Sequence, residues 1–179
     1  MNNEFVCKAE ESMTLSEPLS FRQDVLPGDA GTVRDIVACT GFFYDHEIDV
    51  AVELVDERLR RGSASGYLFL FAEQGGRPVG YCCYGEIACT DGSYDLYWIA
   101  VHDALRGQGI GKVLLQKTEA LIAGLKGRAI WVETSGQDKY ASTRSFYLRS
   151  GYREEAVLKG FYGPADDKHI YVKRLDDHG

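Results

Sequence analysis

The chain has 179 residues, which at roughly 150 residues per domain reads as one compact unit. Its 45% apolar and 26% charged residues describe an ordinary globular protein and exclude disordered, collagenous and membrane-spanning classes. Apolar runs such as Tyr67 to Ala72 fall far below the roughly 20 residues that a membrane span needs, and the net charge of −7 argues against nucleic acid as a partner and favours a cationic one.

Residues 1–18 read as a flexible lead-in and 19–179 as a single domain. The opening is polar and acidic where a secretion signal would be basic and then apolar, so a cytoplasmic location is expected. Cys7, Cys39, Cys82, Cys83 and Cys89 are an odd set with no C-x-x-C pair. They read as reduced packing residues with no disulfide or zinc framework. His46, His102, His169 and His178 lack ligand spacing, and no metal is expected.

In chain order, a short strand around Leu19 to Val25 runs into the turn Pro27-Gly28-Asp29, which can cap a helix over about Ala30 to Cys39 with Val33, Ile36 and Val37 inward. Asp45 can cap a second helix. In it Ile48, Val52, Val55 and Leu59 keep helical spacing, and Arg60-Arg61-Gly62 supplies the favoured C-terminal charges and stop. Tyr67 to Ala72 and Val79 to Ile87 form a hairpin about Gln74-Gly75-Gly76-Arg77, and Ser93 to Val101 is a third strand. A glycine-rich loop then opens a helix with Ile110, Val113, Leu114, Leu121, Ile122 and Leu125 on one face, ended by Gly127. Ala129 to Val132 reads as a buried strand and Tyr140 to Arg149 as a short helix closed by Gly151. Glu155 to Phe161 and Lys168 to Arg174 are two final strands about the turn Gly163 to Asp167. Strand, two helices, three strands, helix, strand, helix, two strands is the order of an α/β (α+β) fold, a mixed sheet with helices on its faces.

The informative stretch is Ile99-Ala100-Val101, a short connection, then Arg106-Gly107-Gln108-Gly109-Ile110-Gly111-Lys112. Glycine lets backbone turn tightly and approach a ligand, while a first helical turn carries unpaired N–H groups and the positive end of the dipole. Together these suit a diphosphate, and Arg106 and Lys112 add positive charge. The other reading is a glycine loop that merely starts a tightly packed helix. A P-loop is excluded because Gly111-Lys112 is followed by Val113. A G-x-G-x-x-G dinucleotide fingerprint fails at Lys112, although Glu133 stands about where a ribose-binding acid would.

The segment resembles the GNAT superfamily of acyl-CoA-dependent N-acyltransferases, whose signature is Arg or Gln, two residues, Gly, one residue, then Gly or Ala. Arg106 to Gly111 fits it, and the resemblance extends to Phe146-Tyr147, three residues and Gly151-Tyr152. It covers about Leu19 to Leu175 and implies a mostly antiparallel sheet with splayed central strands. It also implies acetyl-CoA as acyl donor and an amine-bearing acceptor, with no nucleic acid or membrane partner and with a homodimer allowed. The backbone of Ile99, Ala100 and Val101 would then bond the pantetheine amides, and the N–H groups of residues 107–112 the pyrophosphate.

The chemistry implied is direct attack of a neutral amine on a thioester, which needs a base for the amine and an acid for the departing sulfur. Tyr147 matches the tyrosine that protonates or orients the sulfur; the competing reading is a packing aromatic. Some histone-acetylating members of that family carry a glutamate eleven residues before the signature's first residue, and the resemblance therefore implies Asp95 as first candidate for the base, with Glu86, Glu133 or a water chain as alternatives. Asp95 alternates with Tyr97 and Ile99, so the three share one strand face. Where the family often has asparagine and alanine, this chain has Tyr140 and Thr143. That departure keeps open a non-catalytic CoA-binding module, although by the resemblance Thr143 and Arg144 could still reach the cofactor. Phe42, Phe43, Tyr44, Phe161 and Tyr162 are candidate walls of the acceptor cleft, with core packing the alternative for Phe42 and Phe43. Asp45, Glu47, Asp166 and Asp167 would draw an ammonium if they face that cleft, and otherwise are caps and turn residues.

Overall fold

The structure, a computed structural model, describes residues 18–175. Its elements are β1 (Ser20–Arg22), α1 (Asp29–Cys39), α2 (Asp45–Arg61), β2 (Leu68–Gln74), β3 (Arg77–Glu86), β4 (Ser93–Val101), α3 (Ile110–Gly124), β5 (Ala129–Ser135), α4 (Ala141–Arg149), β6 (Arg153–Gly163) and β7 (Asp166–Arg174). This is the expected order of strands and helices. The sheet is mixed, with strand order β1-β2-β3-β4-β5-β7-β6 and β4 parallel to β5. Their ladder joins Ser93 to Ala129, Tyr94 to Ile130 and Asp95 to Trp131, all at the N-terminal ends of the two strands. A ladder confined to those ends is what a splayed pair of central strands requires.

Contacts divide the chain into two compact units, the first taking residues up to Cys83 together with Trp98–Leu115. In it α1 turns Val33, Ile36 and Val37 inward and α2 turns Ile48, Ala51 and Val55 inward, onto Phe69 and Phe71 of β2 and Tyr81 of β3. The spacings are helical, and each such buried side chain contributes on the order of 1.5–3 kcal/mol. Leu59, expected on this face, is exposed at the end of α2. The helix is capped at Tyr44 and not at Asp45: the Tyr44 N–H donates to Glu47 Oε2 at 2.8 Å, and Asp45 occupies the first turn. Asp29 is almost fully buried. Arg22 donates to its two carboxylate oxygens at 2.8 and 2.9 Å, the Leu26 N–H donates at 2.7 Å, and the Arg22 Nε reaches Glu73 at 2.7 Å. One arginine thus ties β1, α1 and β2.

Cys82 and Cys83 are buried free thiols of β3, as expected of small packing residues, and Cys89 is free and exposed. Cys39 is disulfide-bonded, a correction to the expectation of reduced thiols throughout. Cys7, His178 and the expected lead-in up to residue 17 lie outside the described residues.

The second unit takes Tyr84–Tyr97 with residues from Gln116 onward. β5 and β7 pair antiparallel along their length, from Ala129 with Arg174 to Ser135 with Lys168, and β6 and β7 form a hairpin with register shifts. Tyr94, Leu96, Ile122, Ile130 and Val132 are buried. α3 ends at Gly124 and not at Gly127, with Lys126 in the left-handed region at φ 64°. Gly127 is needed for space: a Cβ there would lie 2.4 Å from Ile122 Cγ2 and 2.9 Å from the Tyr94 ring. Among the described residues no helix is long and apolar enough to cross a membrane.

Candidate functional site

In the first unit the sequence-predicted cofactor residues form one continuous segment. β4 ends at Val101, and the His102 N–H donates to the Val79 carbonyl of β3 at 2.9 Å, which holds the strand end. A single 3-10 turn, Asp103–Leu105, buries Leu105 fully and returns the chain toward α3. Gly107 and Gly109 follow at φ 77° and 83°, and a Cβ on either would meet nothing within 4 Å. Glycine is required there by conformation, since an L side chain is strained at such φ, and not by crowding. Ile110 is buried and starts α3, and the Val113 N–H donates to the Gly109 carbonyl at 3.1 Å as the first helical bond. The N–H groups of Ile110, Gly111 and Lys112 are therefore first-turn donors without an intrahelical acceptor. An anion fits such a nest of amides at the positive end of a fifteen-residue helix.

Gln108 and Lys112 are exposed beside this loop. The Arg106 guanidinium donates to Asp103 Oδ1 at 3.1 Å and lies 4.8 Å from the ring centroid of Phe42. Phe43 packs instead on Trp98, centroids 4.8 Å apart, at the edge of the core. Neither phenylalanine is placed simply as an acceptor wall: one meets the signature arginine and the other joins the core.

In the second unit Asp95 is half-buried on β4 opposite Trp131. Burial pushes its carboxyl up from the ordinary value and the neighbouring Glu133 charge adds to this, while Lys168 opposes it. Glu133, an alternative base, accepts from Lys168 Nζ at 2.6 Å, and the same ammonium lies 3.7 Å from the Phe161 centroid and 5.5 Å from that of Tyr162. Glu86, the other alternative, sits at the exposed end of β3.

Tyr147 is 4% exposed and stacks on Tyr171 at 6.1 Å, with Tyr152 5.5 Å and Phe146 5.4 Å away. The Tyr171 hydroxyl donates to Glu154 Oε1 at 3.1 Å, and His169 Nδ1 lies 2.6 Å from the same oxygen. Burial, then the bond and charge of Glu154, push the Tyr171 hydroxyl up to about 12. Thr143 is half-buried in the first turn of α4, and Arg144 donates to the Ser135 and Gln137 carbonyls at 2.8 and 2.9 Å. Arg144 thus anchors the end of β5.

The acids proposed to draw an ammonium are used locally. Glu47 caps α2, Asp166 accepts from Ser135 Oγ at 2.6 Å and Gln137 Nε2 at 2.7 Å, and Asp167 accepts from Lys159 Nζ at 2.7 Å and the Gly160 N–H at 2.9 Å. Lys168 and the Glu154–His169–Tyr171 group escaped sequence reading. A signal for Lys168 existed, since it alternates with Ile170 and Val172 on one face of β7.

The family model of the acetyltransferase (GNAT) domain matches residues 65–154, half of the chain. The chain belongs to the GNAT acetyltransferase family. A solved structure assigned to the GNAT acetyltransferases, from Desulfovibrio desulfuricans, is 49% identical, with a TM-score of 0.86 over 88% of this chain and 99% of that one. An uncharacterized N-acetyltransferase of Methanocaldococcus jannaschii is 32% identical over 109 residues, 59% of this chain. The match spans 65% of that relative, less than two thirds of its length. A GNAT-like fold is also shared with an acetyltransferase from Salmonella typhimurium solved with acetyl-CoA, at 18% identity and a TM-score of 0.69, covering 91% of this chain and 97% of that one.

Proposed function

We propose that residues 19–179 act as one acetyl-CoA-dependent N-acetyltransferase domain of the cytoplasm, acting on a primary amine of a small molecule or protein. The observation that carries this reading is the open loop of Gly107 and Gly109 at the start of α3, in a chain that belongs to the GNAT family. Acetyl-CoA, when bound, supplies the acetyl group as a thioester. The loop amides of Gly107 to Gly109 and the first-turn amides of Ile110 to Lys112 hold its diphosphate, with Arg106 and Lys112 adding charge. The backbone of Ile99, Ala100 and Val101 offers amide groups to the pantetheine arm. Asp95 takes the proton from the acceptor ammonium, a role that suits a carboxyl raised by burial. The Tyr147 hydroxyl gives a proton to the sulfur, its ring held by Tyr171.

The test is release of free thiol from acetyl-CoA across a panel of primary amines. Amine-dependent release supports the reading. Tight acetyl-CoA binding with no turnover on any amine reduces it to a non-catalytic CoA-binding module, and absence of binding overturns it.

A further inference from the structure

Phe42 and Arg106 are remote in sequence and meet in the first unit. Phe42 follows α1 after Thr40 and Gly41. The Thr40 hydroxyl donates to the Val37 carbonyl at 2.7 Å and accepts from the Phe42 N–H at 3.3 Å, so the helix end fixes where the Phe42 backbone leaves it. Phe43, next in the chain, is pinned by Trp98. Held on both sides, the Phe42 ring presents its face to the guanidinium at 4.8 Å.

A guanidinium has five N–H donors in a planar fork. Among the described residues one of its nitrogens, Nη1, donates to Asp103, and the side chain is 44% exposed. A ring face beneath Cζ and a carboxylate at Nη1 restrict the orientation of the group while leaving donors for an anion. Pre-ordering a flexible cation in this way lowers the entropy lost on binding.

We propose that Phe42 is the positioning residue of the signature arginine: its ring holds the Arg106 guanidinium so that the remaining N–H donors meet the cofactor diphosphate. This rests on the acetyl-CoA reading above. It gives the loop between α1 and α2 a role in cofactor capture.

The test is a double-mutant cycle on the full chain, read as the dissociation constant for CoA by calorimetry and the KM for acetyl-CoA. An exposed cation–π contact is worth a factor of about two to five in affinity. Phe42→Ala is expected to raise both constants by about that factor with kcat at saturating acetyl-CoA unchanged. Phe42→Leu, which keeps bulk without an aromatic face, is expected to do nearly the same, and Phe42→Trp to restore wild-type values. In an Arg106→Ala background Phe42→Ala is expected to add nothing. Additive effects of the two alanine changes, or a Phe42→Leu variant that binds like wild type, overturn the proposal while leaving the acetyltransferase reading intact. A wild-type protein that binds no CoA overturns both. Far-ultraviolet dichroism of each variant separates loss of fold from loss of positioning, and the leucine variant carries the test if alanine unfolds the loop.

Discussion

Asp95 and Tyr147 stand on opposite faces of the sheet within the second unit. Asp95 pairs with Trp131, whereas Tyr147 stacks on Tyr171, which pairs with the next residue, Val132. Successive strand residues face opposite ways, so register alone separates the two groups. The roles proposed above, a proton acceptor at Asp95 and a donor at Tyr147, would suit a transfer in which the amine arrives from one side and the sulfur departs on the other.

Asp95 sets the acidic limb of the kcat–pH profile if it is the base, because the rate falls as its carboxylate is protonated. Its carboxyl is raised by burial and by Glu133 and is opposed by Lys168. Glu133→Gln removes a raising charge and moves the limb to lower pH. Lys168→Met removes the opposing charge and moves it to higher pH, and Asp95→Asn abolishes most of the rate. Shifts in the same direction for the Glu133 and Lys168 variants would assign the limb to another group.

Tyr147→Phe keeps the ring against Tyr171 and removes only the hydroxyl. A positioned general acid is worth on the order of 10² in rate, so kcat is expected to fall about a hundredfold with CoA affinity little changed. Thiol-release kinetics beside calorimetric binding measure the two separately, and an unchanged kcat would leave Tyr147 a packing residue.

Gly109→Ala places a Cβ on a residue at φ 83° with open space around it. The strain of about 1–2 kcal/mol falls on the loop conformation itself. Acetyl-CoA KM is expected to rise about tenfold while the thermal midpoint drops only slightly. A variant with wild-type KM would show that the loop does not hold the diphosphate.

Asp29→Ala strips the carboxylate from beneath Arg22 and leaves a guanidinium that is 18% exposed without its two-pronged partner. Breaking a buried pair costs about 3–5 kcal/mol, and chemical denaturation at neutral pH is the measurement. A loss below about 1 kcal/mol would mean that Glu73 and solvent suffice for Arg22.

Glu154 is held below the ordinary carboxyl value, first by His169 and then, against some burial, by Tyr171. Its contribution to stability is present above the unfolded carboxyl value and is lost as pH falls through the lower folded value. The thermal midpoint of wild type is expected to fall more steeply on acidification from about pH 5 to pH 3 than that of Glu154→Gln. Parallel curves for the two proteins would count against it.

Features set by neighbouring residues are legible in the sequence, and features that need two distant segments are not. Val33, Ile36 and Val37 announce a helix face, and Ser93 to Val101 a strand, because side-chain period follows from backbone geometry within a few residues. Arg106 to Gly111 is legible as a turning glycine loop for the same reason: its demand on φ at Gly107 and Gly109 belongs to those residues alone. The helix stop at Gly124 is not legible in the sequence because Gly127 is there to make room for Ile122 and Tyr94, which is a packing requirement. Acidic residues near the expected acceptor side look available in sequence, yet Asp166 accepts from Ser135 and Gln137 at the end of β5 and Asp167 from Lys159 and Gly160 of β6. Lys168 with Glu133, Arg22 with Asp29 and Glu73, and Phe42 with Arg106 depend on strand register and on where a helix ends in space. A residue's own neighbours in the chain carry the conformational terms, while its charge and ring partners are decided only when the sheet and its helices bring distant segments within a few ångströms.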